Sequence, residues 1–359
     1  MRRFGRTLVT AVLTVAVITG TAGWASADTQ QAVTGPVPGT AAWLAEPGLR
    51  AGGGAGTGPG AVRGLPDPGR AAPREVARFF AALDPDEAQA LVRRHPLVVG
   101  NLDGVPVALR YQANRIAILA SGEARYLSLA GAGRQILAFD PRGRGQVAEV
   151  FGDLARAEHV AVIVPGSDND ASTHDRTRKP YSGPGGMAQA LRASTGDATA
   201  VVAWTGYTTP VGVGLDAAQG RLAEAGAARL TRFLAGLDAV GAADPALFCH
   251  SYGSVVCGLA ARNTDARDIV VLGSPGMRAD NVAALHTRAR VWAAKSPSDW
   301  IDDIPNVEFA GLGHGADPTS SAFGARRVPA ADAEGHAGYF VPGTQSLAAF
   351  AAIATGAAR

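Results

Sequence analysis

Cysteine is nearly absent: Cys249 and Cys257 are the only two in 359 residues, too few for the disulfide framework of a small secreted domain. The pair is read as two small buried hydrophobes. One local bridge is the alternative, which a strand end facing a helix interior makes unfavourable in distance and angle. Concentrated basic tracts are also missing, and with them the electrostatic footprint of nucleic-acid binding. The apolar stretch Leu8–Thr21 is short for a membrane span, and no cysteine stands there for lipid attachment. No internal repeat and no long apolar lid segment interrupt the chain. Charge is sparse at 18% against 47% hydrophobic residues, so a sizeable core can form, in one large α/β domain or two smaller ones.

What is present begins with an address. Arg2, Arg3 and Arg6 precede the apolar stretch, and Ala25-Ser26-Ala27 is a small-x-small cleavage site. Residues 1–27 are read as a signal peptide cut after Ala27, giving a secreted protein with no stable membrane span in the mature form. An uncleaved anchor is the lesser alternative. Cleavage removes three arginines and no acid, leaving 30 basic against 31 acidic residues. The whole-chain charge of +2 thus belongs to the leader.

Residues 28–72 are rich in Gly, Ala and Pro and are expected to be a disordered linker, because they offer little apolar surface to offset ordering entropy. Residues 73–133 are expected to be a helical N-terminal segment. Arg74–Leu83 has helical patterning, and Asp84-Pro85-Asp86-Glu87 opens a second helix with a capping acid, a first-turn proline and a glutamate three residues on. Asn101, Asp103, Arg110, Asn114 and Arg115 are read as a polar clamp onto the main domain.

Residues 134–359 alternate between short apolar strands and helical stretches. Strands are expected at Gln135–Phe139, Gln146–Phe151, His159–Val164, Ala198–Trp204, Ala246–Cys249, Asp268–Leu272 and Val291–Lys295, with Val307–Ala310 a weaker eighth. Helices are expected at Met187–Ser194, Leu215–Val240, Tyr252–Arg262, Asp280–His286 and Gln345–Ala354. Such alternation predicts an α/β fold with a mainly parallel central sheet and helices on both faces.

The chemistry gathers at Ala246–Ala260, where an apolar strand meets His250-Ser251-Tyr252-Gly253 and runs straight into a helix. That is the shape of a nucleophile elbow, with Ser251 lifted out of a strained turn whose near neighbours must be small. Gly253 meets the demand; Cys249 stands where the usual pattern has glycine. A serine hydroxyl needs a base, and the base an orienting acid. In the chain order of this arrangement the acid follows a later strand. Asp299 is chosen and Asp302 held in reserve. The base precedes the last helix, which selects His336 over His314. His250, adjacent to the nucleophile, is read as packing or hydrogen-bond support. The oxyanion-hole N–H groups are assigned to Tyr252 and Ser167. The carboxylates and histidine of Asp168–Asp175 fit no cation-binding spacing and are read as a polar loop. The chemistry requires no metal and no cofactor.

Several blocks occur together in order: Gly100-Asn101-Leu102-Asp103-Gly104-Val105-Pro106 with Arg110 and Ala113-Asn114-Arg115, Val164-Pro165-Gly166, His250-Ser251-Tyr252-Gly253-Ser254, Leu272-Gly273-Ser274-Pro275-Gly276, His314-Gly315-Ala316-Asp317-Pro318, and Gly335-His336 with Gly338-Tyr339-Phe340. They resemble the actinobacterial alpha/beta-hydrolase family of undetermined function, over roughly Pro73 to the C-terminus. The resemblance implies an alpha/beta-hydrolase fold with a serine triad and a helical N-terminal addition, and supplies no substrate. The expectation is a serine hydrolase acting on a small-molecule or lipid carboxylic ester of short-to-medium acyl length. A catalytically silent envelope or binding protein on the same scaffold is the alternative, and a peptidase or amidase the second.

Overall fold

The computed structural model describes residues 29–46, 49–50, 62–176 and 178–358. The expected signal peptide and its cleavage site lie outside them. Among the described residues no helix is long and apolar enough to cross a membrane.

Numbered in chain order, the first elements are α1 (Thr40–Leu44), the antiparallel pair β1 (Leu49–Arg50) and β2 (Val62–Arg63), then α2 (Pro73–Ala81), α3 (Pro85–Arg94), α4 (Pro96–Asn101) and α5 (Val107–Ser121). The alternating part follows as β3 (Gln135–Asp140), β4 (Gln146–Phe151), β5 (His159–Val164), α6 (Pro184–Thr195), β6 (Thr199–Thr205), α7 (Leu215–Ala218), α8 (Arg221–Ala239), β7 (Ala246–His250) and α9 (Gly253–Ala260). The chain closes with β8 (Asp268–Leu272), β9 (Gly276–Ala279), β10 (Arg290–Ala294), β11 (Glu308–Phe309), β12 (Leu312–Gly315), β13 (Arg326–Arg327) and α10 (Gln345–Ala354).

Among the described residues eight strands form one sheet in the order β13-β10-β8-β7-β5-β6-β4-β3, in which only β4 runs against the rest. The central strands are buried on both sides, yet their period of two still sorts the core. Val160, Val162, Leu247, Cys249, Ile269 and Val271 face the layer of α8 and α9. Ala161, Ile163, Ala246, Phe248, Val270 and Leu272 face α6 and α10. A parallel sheet delivers the loops after β5, β6, β7, β8, β10 and β13 to one end of the molecule, and that is where ligands of open α/β sheets bind.

The N-terminal helices cover the edge strand β3. Asn114 Nδ2 donates to the Ile136 carbonyl at 2.9 Å and Asn101 Nδ2 to that of Phe139 at 2.6 Å. The edge is thereby closed against strand addition. The capping box expected at Asp84 forms with Glu87.

Three expectations need correction. The helix expected at Leu215–Val240 is interrupted at Gln219-Gly220, giving α7 and α8. The segment 28–72 is not a free linker in its described parts. Trp43 is fully buried with Val76, Leu91 and Val98, and its indole N–H donates to Pro66 O at 2.8 Å. Further forward, Gln30 N–H donates to Asp216 at 2.8 Å and Val33 N–H to Thr208 Oγ1 at 3.0 Å. Glycine-rich composition concealed a few well-placed anchors. The stretch Asp280–His286, expected as a helix, holds a single 3-10 turn at Ala283–Leu285.

Candidate active site

The elbow is built as expected. β7 is buried throughout, Ser251 adopts a left-handed φ of 55°, and α9 starts two residues later. The left-handed conformation costs a non-glycine residue about 1–2 kcal/mol. Three contacts hold the turn: Ser251 N–H donates to Leu272 O at 2.9 Å, Ser254 N–H to Ser251 O at 2.9 Å, and Ser254 Oγ to Cys249 O at 2.9 Å. Gly253 is required by close approach, since a Cβ there would stand 2.2 Å from the Val164 carbonyl oxygen.

Cys249 and Cys257 are joined by a disulfide with Cα atoms 6.4 Å apart, which corrects their reading as free buried hydrophobes. The helix leaves the strand so abruptly that its second turn folds back over the strand end. That hairpin-like return brings the two sulfurs within reach, and strand-to-helix spacing alone did not reveal it.

Asp299 follows β10 and is buried, and its Oδ1 lies 2.8 Å from His336 Nδ1. The same oxygen accepts the Ile301 N–H at 2.9 Å, and Oδ2 accepts the Tyr339 hydroxyl at 2.6 Å. Burial alone raises a carboxyl pKa; here the hydrogen bond and charge of His336, joined by Tyr339 and Ile301, outweigh it and hold Asp299 below the usual range. A carboxylate at Nδ1 orients the imidazole and favours the tautomer whose proton lies on that side. His336 Nε2 is buried and has no hydrogen-bond partner. The loops carrying acid and base are also stitched together, through Gly335 N–H to Ser298 Oγ at 2.8 Å and Ser296 N–H to Tyr339 Oη at 3.0 Å.

Gly273 connects this pair to Ser251. It follows Leu272, whose carbonyl holds Ser251, and its positive φ of 54° folds the chain under the imidazole. A Cβ there would lie 3.0 Å from His336 Nδ1 and 2.8 Å from Asp299 Oδ2. His250 Nε2 donates to the His336 carbonyl oxygen at 2.6 Å, which is the supporting role expected of it. Burial, with the charge of His336, pushes the His250 pKa down to about 3, so it stays a neutral donor. Trp300 also packs on His336, ring centroids 4.5 Å apart.

The competing candidates are occupied elsewhere. Asp302 pairs with Lys295 at 2.5 Å. His314 Nε2 donates to Ala217 O at 2.7 Å, and burial pushes its pKa down to about 4.

The loop after β5 lies against the elbow, for a side chain at Gly166 would meet Ser251 Cβ at 2.6 Å and Tyr252 N at 2.8 Å. Among the described residues the N–H groups of Tyr252 and Ser167 find no acceptor. Asp168 stabilises the loop by accepting Gly212 N–H at 2.8 Å. Farther along, Glu149, His174 and Asp175 bring ligand atoms within 4.8 Å of one another. The Arg134 guanidinium pairs with both carboxylates and supplies the positive charge itself. Sequence reasoning missed Tyr339 and the disulfide; the Gly338-Tyr339-Phe340 block beside His336 was the available signal for the tyrosine.

Residues 140–309 match the family model described as alpha/beta hydrolase, a span that includes Ser251 and Asp299 and stops before His336. The uncharacterized protein Rv2079 of Mycobacterium tuberculosis is 28% identical over 380 aligned positions, covering 81% of this chain and 57% of that protein. A second M. tuberculosis protein, the uncharacterized Rv0963c, is 34% identical over 157 positions, 41% of this chain and 58% of that one. The chain therefore spans a little over half the length of these relatives. Solved structures similar to it include esterase PE8, at 15% identity and TM-score 0.38 over 57% of this chain and 95% of that one. Est1E from Butyrivibrio proteoclasticus has 12% identity and TM-score 0.33 over 61% and 97%. Strand order, the turn at Ser251 and the family match agree: the chain has the alpha/beta-hydrolase fold, and its residues 140–309 are similar to the alpha/beta-hydrolase family.

Proposed function

We propose that the chain is a secreted serine hydrolase that cleaves carboxylic esters through an acyl-enzyme. Ser251 Oγ attacks the ester carbonyl carbon while His336 Nε2 takes its proton. The N–H groups of Tyr252 and Ser167 receive the charge that develops on the carbonyl oxygen. His336 then returns the proton to the leaving alkoxide, and water releases the acyl group by the same route reversed. Asp299 keeps the imidazole in the required tautomer throughout. The observation that supports this reading best is the 2.8 Å Asp299–His336 pair, folded beside a serine held at φ 55°.

The competing reading is a catalytically silent scaffold. It is favoured by the unbonded His336 Nε2, because the Ser251 hydroxyl makes no hydrogen bond to it. Hydrogen bonds of this kind are often long in free enzymes and tighten with substrate. Fluorophosphonate labelling decides between the two, since the probe reacts only with a serine activated by a working base. Labelling that disappears in Ser251→Ala supports the hydrolase; folded protein that stays unlabelled supports the silent scaffold.

A further inference from the structure

Eleven large hydrophobic side chains are exposed among the described residues, and eight of them lie in the segments that follow β6, β10 and β13, at the end of the sheet that carries the candidate site. Single exposed apolar residues are ordinary, but a set concentrated at one end is informative. Val211, Val213 and Leu215 lie after β6, each about half exposed. Phe309, 79% exposed, and Leu312 form the tip of the hairpin β11–β12. They face each other across a two-residue turn, Ala310-Gly311, in which both residues have positive φ, 51° and 81°. A pair directly opposite points to the same face, so both side chains leave the tip on one side.

The tip is anchored. Arg278 donates to Glu308 at 2.9 Å and to the Gly311 carbonyl at 3.0 Å. Leu312 bridges to Gln219, and α7, which begins at Leu215, packs on β12. The two apolar groups are therefore neighbours. They are tied to the nucleophile as well, because Tyr252, next to Ser251, donates its hydroxyl to Gln219 O at 2.6 Å. Trp300, 41% exposed, packs on His336.

We infer that this rim is a hydrocarbon-binding surface continuous with the catalytic site, and that the substrates are long-chain acyl esters presented in an aggregate. The inference rests on the serine-hydrolase reading for its site. Hydrocarbon chains suit the rim because apolar contact is non-directional and scales with area, and because the carboxylate at its tip, Glu308, is paired with Arg278. The surface replaces the expectation of short-to-medium esters, which was drawn from the lack of a long lid segment. Four residues at a hairpin tip and a short loop after β6 need no long apolar run in the sequence.

The test compares turnover of p-nitrophenyl palmitate in emulsion with that of soluble p-nitrophenyl butyrate. Wild type, a Phe309→Ser/Leu312→Ser double variant and Leu119→Ser are measured, Leu119 being an exposed leucine on α5 away from the rim. Fluorophosphonate labelling of Ser251 is followed in each. The palmitate-to-butyrate ratio falls about tenfold or more in the double variant while labelling persists, and Leu119→Ser matches wild type. A ratio unchanged in a labelled double variant overturns the inference, as does a wild type that is labelled but turns over only butyrate. A double variant that only converts a dimer to a monomer shows the patch to be a contact between copies and overturns it too. If wild type is not labelled, the hydrolase reading fails, and flotation with phosphatidylcholine vesicles still tests the surface. Wild type floats and the double variant does not; equal behaviour of the two rejects the surface.

Discussion

Ser251 keeps a backbone conformation that its side chain disfavours, because turning the hydroxyl out of the sheet requires it. Removing the side chain should therefore stabilise the fold while ending turnover. Ser251→Gly is expected to raise the unfolding free energy by about 1 kcal/mol, read from urea denaturation, with no fluorophosphonate labelling. The contacts of two aspartates three residues apart differ: Asp299 meets His336 and Asp302 meets Lys295. Asp299→Asn should lower kcat by about 10⁴-fold, the amide favouring the wrong tautomer of His336. Asp302→Asn, which only loosens an ion pair with Lys295, should stay within about twofold, a surface-pair effect. Ser251 was legible in the sequence because an elbow needs local order: strand, small residues, helix. Choosing among three aspartates was an inference from chain order, which the Tyr339 and His336 contacts to Asp299 now support.

At the scale of elements, the elbow is a strand and a helix stapled by Cys249–Cys257 eight residues apart. Closing a loop of that length is worth about 2.5 kcal/mol in the chain-entropy account. Cys249→Ala/Cys257→Ala should lose about that much in urea unfolding, and reductant should shift the midpoint of wild type but not of the variant. The strands were readable because their apolar runs are contiguous and punctuated by glycine and proline; β4, β5 and β8 form with the expected bounds. The short strands β9, β12 and β13 were not read. They have two to four residues and gain their pairing from tertiary neighbours, so they leave no periodicity to detect. The helix expected at Asp280–His286 failed for the converse reason. Its composition suits a helix, but the chain must turn there from β9 towards β10.

For the whole molecule, the N-terminal part is a structural partner of the sheet. Trp43→Ala should cost about 3–5 kcal/mol, typical of truncating a buried aromatic, and broaden or split the unfolding transition. Acid should also destabilise the molecule through its buried histidines. His250 and His314, pushed down to about 3 and about 4 in the fold, return to about 6.5 when unfolded. Between those values the unfolded chain binds more protons, so stability is complete above about pH 6.5 and falls as pH drops towards 4. His314→Gln should flatten that slope when urea midpoints are compared from pH 7 to pH 4.

The sequence by itself determined the layer architecture, the strand-turn-helix at Ser251 and the chain order of Ser251, Asp299 and His336 that the proposed triad uses. These follow from local patterns: apolar period, turn chemistry, and the small residues that a sharp turn needs. Tertiary structure decided the rest. Whether Asp299 or Asp302 meets His336, whether two cysteines meet, and whether a glycine-rich segment packs each depend on the close approach of residues distant in the chain or turned towards each other by a bend. So does the apolar rim, because residues 211–215 and 309–312 become one surface only when a parallel sheet brings their loops to the same end.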